Sequence, residues 1–170
     1  TMIDDYIYSE NYDFNLDKSK SVAFTGHREV KQDFNQSKFK VFLQELINKG
    51  YQNFYVGMAV GFDTICFKTL QRLKSKNDIK IIACIPCMEQ DKKYTYLQKQ
   101  EYQKMVKCAN QKVIISKTYT PYCMQQRNMF MVDNSSLLVS YMYKNSGGTA
   151  NTVNYAKRCG IKVINVSDIA

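Results

Sequence analysis

Histidine occurs once, proline twice and tryptophan not at all in this chain of 170 residues. One histidine leaves little from which to build a metal centre. The lone C-x-x-C of "CIPC" (84–87) has no second pair to complete a zinc site. A redox pair belongs at a helix start after the first strand of its fold, so Cys84 and Cys87 are expected to pack at a strand end. Six cysteines are too sparse for a disulfide scaffold, and Cys66, Cys84, Cys108 and Cys159 lie inside periodic segments. Reduced thiols and a cytoplasmic location are the expectation. No run of about 18 apolar residues exists, so no membrane span is expected. The start of the chain lacks the basic-then-apolar layout of a secretory leader. With no internal repeat and no linker, one ordinary domain is expected.

Acidic residues are the minority. Fifteen stand against 24 Lys and Arg, for a net charge of +9. That excess favours an anionic partner: a nucleotide, a nucleic acid or a phosphorylated small molecule. The alternative is Lys-rich helix faces that are merely solvated. The first residues oppose the trend, with Asp4, Asp5, Glu10, Asp13 and Asp17 among Tyr6, Tyr8, Tyr12 and Phe14. Residues 1–19 therefore read as a short acidic, aromatic arm before a domain of residues 20–170. Its aromatics are expected to dock part of it on the domain or on a neighbouring copy.

Past the arm, apolar runs alternate with helical patterns. "SVAF" (21–24), "NFYVG" (53–57), "IKIIACIP" (79–86), "KVIIS" (112–116), "LLVSYM" (137–142) and "KVINV" (162–166) read as strands. Between them Phe39, Phe42, Leu43, Leu46 and Ile47 recur at helical spacing, as do Phe62, Ile65, Cys66, Leu70 and Leu73. Residues 91–109, 121–135 and 149–159 read as further helices. The strands are apolar almost throughout, so both faces of the sheet are covered. The pattern predicts an α/β, doubly wound and mainly parallel sheet of about six strands.

In such a sheet ligands bind beyond the carboxyl ends of the strands. Four segments follow strands and differ from the rest of the chain: "TGHR", "GMAVGFD", "PCMEQ" and "KNSGGT". In the first, Thr25 and Gly26 end a buried strand, and Arg28 can donate two parallel hydrogen bonds to a phosphate or carboxylate. His27 can bond a ribose or act as an acid or base. In the second, Gly57, Met58, Ala59 and Gly61 form a tight turn, and Asp63 either caps a helix or accepts from ribose hydroxyls. The third offers Pro86 and Gln90. In the fourth, Ser146, Gly147, Gly148 and Thr149 open a helix whose free amides and dipole attract phosphate. The same residues also fit a plain glycine turn with Thr149 as the N-cap. Arg127 and Asn128 lie on the helix before the fifth strand. Arg127 either reaches the cavity or faces solvent, and Met124, Met129 and Met131 read as core.

The ordered series "TGHR", "GMAVGFD", "IPCMEQ", "QRNMFMVDNS" and "SGGTANTVNYAKRCGIKVINV" resembles the YpsA-like branch of the SLOG superfamily. That superfamily groups the DNA-processing protein DprA/Smf with the LOG proteins. The likeness spans about residues 20–168. It implies a Rossmann-like fold that binds nucleotides or nucleotide-derived ligands, and it makes a homo-oligomer an expectation. LOG enzymes release a base from a nucleoside monophosphate, and Arg127 with Gly147, Gly148 and Thr149 resembles their arginine and loop. Where LOG proteins carry a lysine and a glutamate, this chain has Asn128 and Thr152. Cleaving an N-glycosidic bond develops positive charge on the sugar that a carboxylate stabilises, and Thr152 has none. Asp63 and Asp133 are the remaining candidates.

The expectation is thus a sensor, sponge or regulator that binds an ADP-ribose-like or cyclic ADP-ribose-like signal, such as those of antiphage defence, without turnover and without a cofactor. The glycine loop and Arg28 would hold phosphate, Asp63 ribose, and Tyr94 or Tyr96 a base. Two alternatives stand beside it. One is a LOG-type nucleoside-monophosphate N-glycosidase. The other is DprA-like binding of single-stranded nucleic acid by the basic, aromatic stretch at residues 92–107.

Overall fold

Alternate residues of the central strands enter two different cores. The computed structural model describes residues 8–109 and 111–170. In β2 (Ser21–Gly26), Val22 and Phe24 face one cluster and Ala23 the other. Phe54 and Val56 against Tyr55 in β3 (Asn53–Val56) repeat the pattern. So do Ile81, Ala83 and Ile85 against Ile82 and Cys84 in β4 (Lys80–Cys87). This period of two, apolar on both sides, is why the strands lack polar alternation.

Helices α1 (Gln36–Asn48), α2 (Phe62–Lys74) and α3 (Tyr96–Cys108) cover the first face through Phe39, Leu43, Phe67, Leu70, Tyr102 and Met105. Helices α4 (Cys123–Asp133) and α5 (Gly147–Arg158) cover the second through Met131, Val132, Val153 and Ala156. Each large apolar side chain so buried contributes about 1.5–3 kcal/mol. No helix among the described residues is long and apolar enough to cross a membrane.

With β1 (Tyr8–Glu10), β5 (Gln111–Ser116), β6 (Leu137–Tyr141) and β7 (Lys162–Asn165), the sheet runs β1-β5-β4-β3-β2-β6-β7. All pairings are parallel except β1 with β5. The chain moves outward from β2 through β3, β4 and β5, then returns to lay β6 on β2's other side. That reversal opens a crevice at the carboxyl ends of β2, β3 and β6.

Boundaries shift by a residue or two in most elements, and three differences from the sequence reading bear on the site and the arm. The seventh strand, β1, comes from the arm. It is three residues long, and nothing in its sequence alternates long enough to mark it. Helix α3 begins at Tyr96 rather than residue 91, because Thr95 and Gln98 form a reciprocal cap: Gln98 N donates to Thr95 Oγ1 at 3.2 Å and Thr95 N to Gln98 Oε1 at 3.0 Å. Helix α5 starts at Gly147, so Thr149 lies in its first turn and is not its cap. Asp4, Asp5 and Tyr6 of the arm lie outside the described residues.

The described part of the arm is tied down chemically. Glu10 pairs with Lys112 at 3.2 Å. Tyr12 shares a 2.9 Å hydrogen bond with the hydroxyl of Tyr55 and stands edge-on to Tyr55 and Phe130. Replacing Tyr12 by alanine is expected to cost about 2 kcal/mol of stability in denaturant titrations, from lost ring contacts and an orphaned Tyr55 hydroxyl. An unchanged midpoint would show that this contact does not hold the arm.

Candidate functional site

Glycine allows two loops at the crevice to touch backbone to backbone. A Cβ on Gly26, at the end of β2, would lie 2.4 Å from the ring of Phe62. A Cβ on Gly61, the N-cap of α2, would lie 2.1 Å from the carbonyl oxygen of Arg28, and Gly61 has φ +87°. The contact is sealed by Phe62 N donating to His27 O at 3.2 Å. The loop after β3 also holds Met58 at φ 65°, a left-handed conformation that costs a non-glycine residue about 1–3 kcal/mol. Gln90 Nε2 donates to the Met58 carbonyl at 3.2 Å and helps hold it there.

Beneath these loops lies a buried arginine. Arg127 is only 6% exposed. Its Nη1 donates to the Gly57 carbonyl and its Nε to Asn128 Oδ1 at 2.7 Å. Asp63, also buried, accepts from Ala59 N at 3.1 Å. A Cβ on Gly57 would lie 2.8 Å from the Asp63 carboxylate and 3.0 Å from Arg127 Nη1, so glycine lets both groups share one space. Burial pushes the Asp63 carboxyl above the ordinary range, while Arg127, the Ala59 N–H and Arg28 pull it back.

The third wall is the start of α5. Its N-cap, Ser146, makes no side-chain cap hydrogen bond. Gly147 has φ +80°, and a Cβ on Gly148 would meet nothing within 4 Å. The first amides of the helix are therefore left without a side-chain acceptor, at the positive end of its dipole. Thr25 and Thr149 are buried, and neither hydroxyl hydrogen-bonds another described residue. Together these elements enclose a cavity of about 430 Å³, within the size range of small-ligand sites.

His27 has a defined protonation state here. The amides of Tyr143 and Lys144 both donate to its Nε2 at 3.2 Å, which puts the ring's single proton on Nδ1. Burial and the nearby Lys144 ammonium hold its pKa below the usual histidine value.

The cavity is lined by Thr25, Gly26, His27 and Arg28 from β2 and its loop, and by Ala59 and Asp63 from the β3–α2 turn. Gln90, Arg127, Asn128 and the run Ser146, Gly147, Gly148 and Thr149 complete it. Seven expected site residues are not on its walls. Gly57, Met58 and Gly61 act one step back, through a carbonyl, a strained turn and a close approach. Pro86 is buried within β4. Tyr94 packs edge-on to Tyr102, with ring centroids 5.7 Å apart, behind the wall, although Gln90, Arg28, Arg127 and Asp63 still act on its hydroxyl. Tyr96 sits exposed on α3, bonded to Gln100. Asp133 lies at the far end of α4 and accepts from Tyr155 Oη at 2.5 Å. Phe24 and Met124 line the cavity without having been singled out. Met124 was read as core; it is partly exposed, and its place one turn before Arg127 was the available signal.

Among the described residues no group of three His, Cys, Asp or Glu side chains gathers to hold a metal. Cys84 and Cys87 are both buried in β4. Thr152 turns its hydroxyl onto the Gly148 carbonyl of its own helix at 2.8 Å.

Comparison with known proteins fits this geometry to a family. The family model YpsA, described as the YspA SLOG family, matches residues 18–165. The chain belongs to this family. A relative of the SLOG domain is the SPbeta prophage-derived protein YoqJ of Bacillus subtilis (strain 168), 31% identical, with the match covering 72% of this chain and 80% of YoqJ. Two solved structures share its fold. DNA processing protein A of Streptococcus pneumoniae superposes with a TM-score of 0.68 at 18% identity, over 86% of this chain and 50% of that one. The Helicobacter pylori protein of the same name, described for its single-stranded DNA binding mode, gives 0.68 at 15% identity over 92% and 69%. This SLOG domain thus spans about half the length of the pneumococcal protein.

The two kinds of glycine in the site are expected to respond oppositely to alanine. Gly61→Ala, strained by φ and blocked by Arg28 O, is expected to cost about 3 kcal/mol or more in thermal or denaturant unfolding. Gly148→Ala, in the first turn of a helix with open space around it, is expected to be neutral or to stabilise by up to about 1 kcal/mol. Equal responses would contradict the backbone contact.

Proposed function

We propose that this SLOG domain binds a phosphate-bearing nucleotide derivative in the cavity between β2, β3 and β6, as a sensor or regulator. The observation that carries the reading is the convergence of uncapped α5 amides, two guanidinium groups and two unpartnered threonine hydroxyls on one space. Each is a donor, and together they match an anion. The exposed Arg28 and the α5 amides take the phosphates. The Arg127–Asp63 floor offers one carboxylate, the group suited to ribose hydroxyls. ADP-ribose and its cyclic isomers have the corresponding parts. Turnover is not part of this proposal: the helix position of the LOG glutamate is Thr152, whose hydroxyl is spent inside α5.

A second reading, single-stranded nucleic acid, is favoured by a separate observation. Tyr119 and Tyr122 are 64% and 71% exposed in the segment between β5 and α4, next to cavity-lining Met124. Exposed aromatic rings beside a cationic pocket are what stacked bases use. The Helicobacter pylori protein, which has a single-stranded DNA binding mode, supports this alternative.

A thermal-shift panel of ADP-ribose, cyclic ADP-ribose isomers, NAD and AMP tests the first reading, because a ligand selective for the native state raises the melting point. A rise with at least one compound is expected, and Arg28→Ala and Gly148→Asp are expected to abolish it while leaving the unliganded protein folded. A rise unchanged in both variants would place the site elsewhere. Strongly salt-dependent retention of an oligonucleotide, with no response to the panel, would favour the second reading.

A further inference from the structure

The loop from Tyr141 to Gly147 delivers the α5 N-terminus to the cavity, and it is held from two sides. On one side is Asn165 of β7. It accepts from Met142 N at 3.1 Å and donates to Met142 O at 2.8 Å. On the other side is His27. Its Nε2 accepts from Tyr143 N and from Lys144 N, each at 3.2 Å. The Tyr143 ring stands edge-on to the imidazole with centroids 4.5 Å apart, and its hydroxyl donates to Glu29 O at 2.7 Å. The Asn165 contacts carry no titratable group. The His27 contacts depend wholly on one.

Two consecutive backbone amides converging on one ring nitrogen require that nitrogen to carry a lone pair. A proton on Nε2 turns acceptor into donor and sets three N–H groups against one another. We propose that His27 is a proton-sensitive latch on the β6–α5 loop: neutral, it positions the α5 N-terminus at the cavity; protonated, it releases Tyr143 and Lys144 and the loop loses that position. His27 is on this view a positioning residue for the anion site, not an acid or base.

The surroundings favour the neutral ring near pH 7. Lys144 faces it from the loop, and Arg28 and Glu29 follow it in its own segment. Lys31 places its ammonium 4.3 Å from the centroid of the Tyr143 ring. Tyr141 packs edge-on from β6, and Asp63 of α2 and Arg127 of α4 share the cavity. Among the described residues no carboxylate lies within ion-pair distance of the imidazole. An imidazolium there would gain no partner and would meet several cations. Burial first, and Lys144 second, lower the ring's pKa accordingly. The direction of the linkage follows. Between the folded value and the unfolded value of about 6.5, the unfolded chain holds a proton that the native ring refuses, so stability falls as pH drops through that window.

The latch reverses the pH response an arginine-lined pocket would otherwise show. Acidification adds positive charge, which alone strengthens anion binding. A released loop weakens it instead.

The test has an arm without ligand and an arm with one. Because histidine occurs once in the chain, its ring resonance is unambiguous in NMR. Between about pH 7.5 and 5, the ring is expected to titrate with a midpoint below about 6.5, and the amide signals of Tyr143 and Lys144 to move with that midpoint. Amide signals that stay still while the ring titrates, or a ring midpoint at or above the free value, would overturn the latch. The second arm rests on the anion-binding reading above and uses ADP-ribose, whose pyrophosphate keeps its charge over this range. Wild-type affinity is expected to fall several-fold between about pH 7.5 and 5.5. His27→Gln, which offers a non-titrating acceptor, is expected to lose that pH dependence, and His27→Ala to bind weakly at both values. A His27→Gln variant as pH-sensitive as wild type would refute the proposal. Absence of ADP-ribose binding at any pH would instead refute the ligand reading and leave the NMR arm to decide the latch.

Discussion

The bond from Arg127 to the Gly57 carbonyl is the constraint on which the site depends. It ties α4, on one face of the sheet, to the carboxyl end of β3 in its middle. A guanidinium cannot give up its charge, so burying one demands acceptors and a nearby anion. Asn128 Oδ1, from the neighbouring residue of α4, and Gly57 O and Asp63, from the turn after β3, supply them. Gly57 has to be glycine because the guanidinium and carboxylate occupy the space a side chain would take. The position of α4 and the turn after β3 are thereby fixed together. The cavity floor is a consequence of that single charged group.

The glycines above it perform a different task. Gly26 and Gly61 let the ends of β2 and β3 approach more closely than any side chain permits, so Arg28 and the start of α2 share one rim. The strain in Met58 belongs to the same turn. This loop, under steric load, is held by Gln90 on one side and Arg127 below, and it buries Met58 in the core. Donors held in place in this way would lose little entropy on binding a ligand by hydrogen bonds.

The parallel sheet was legible because its signal is strong: apolar strands bounded by glycine turns, with helical stripes between. The four loop motifs were legible as a group because topology sends every strand end to one rim. What could not be read were facts of direction and distance. Tyr94 follows a strand end as the topology demands, yet its ring turns toward Tyr102. Asp133 lies on the same helix as Arg127, but six residues on it is more than one turn away and points to Tyr155. Arg127 gave no sign in sequence of being buried, since the same letters fit a solvated helix face. The arm's strand was invisible because three residues among acidic neighbours carry no pattern, and its partner strand, β5, is distant in sequence.

The carboxylate left in the cavity bears on what chemistry is available there. Stabilising an oxocarbenium ion requires an ionised group with a free oxygen facing the sugar. Asp63 spends Oδ2 on the Ala59 amide and lies beside Arg127, while burial raises its pKa. Its charge is already answered by the protein, so a developing cation nearby would compete with a guanidinium that cannot leave. Such a carboxylate is better suited to accepting hydrogen bonds from neutral hydroxyls than to attracting positive charge. Under the nucleotide reading proposed above, the same balance that makes the floor stable would suit it to holding a sugar rather than breaking its glycosidic bond.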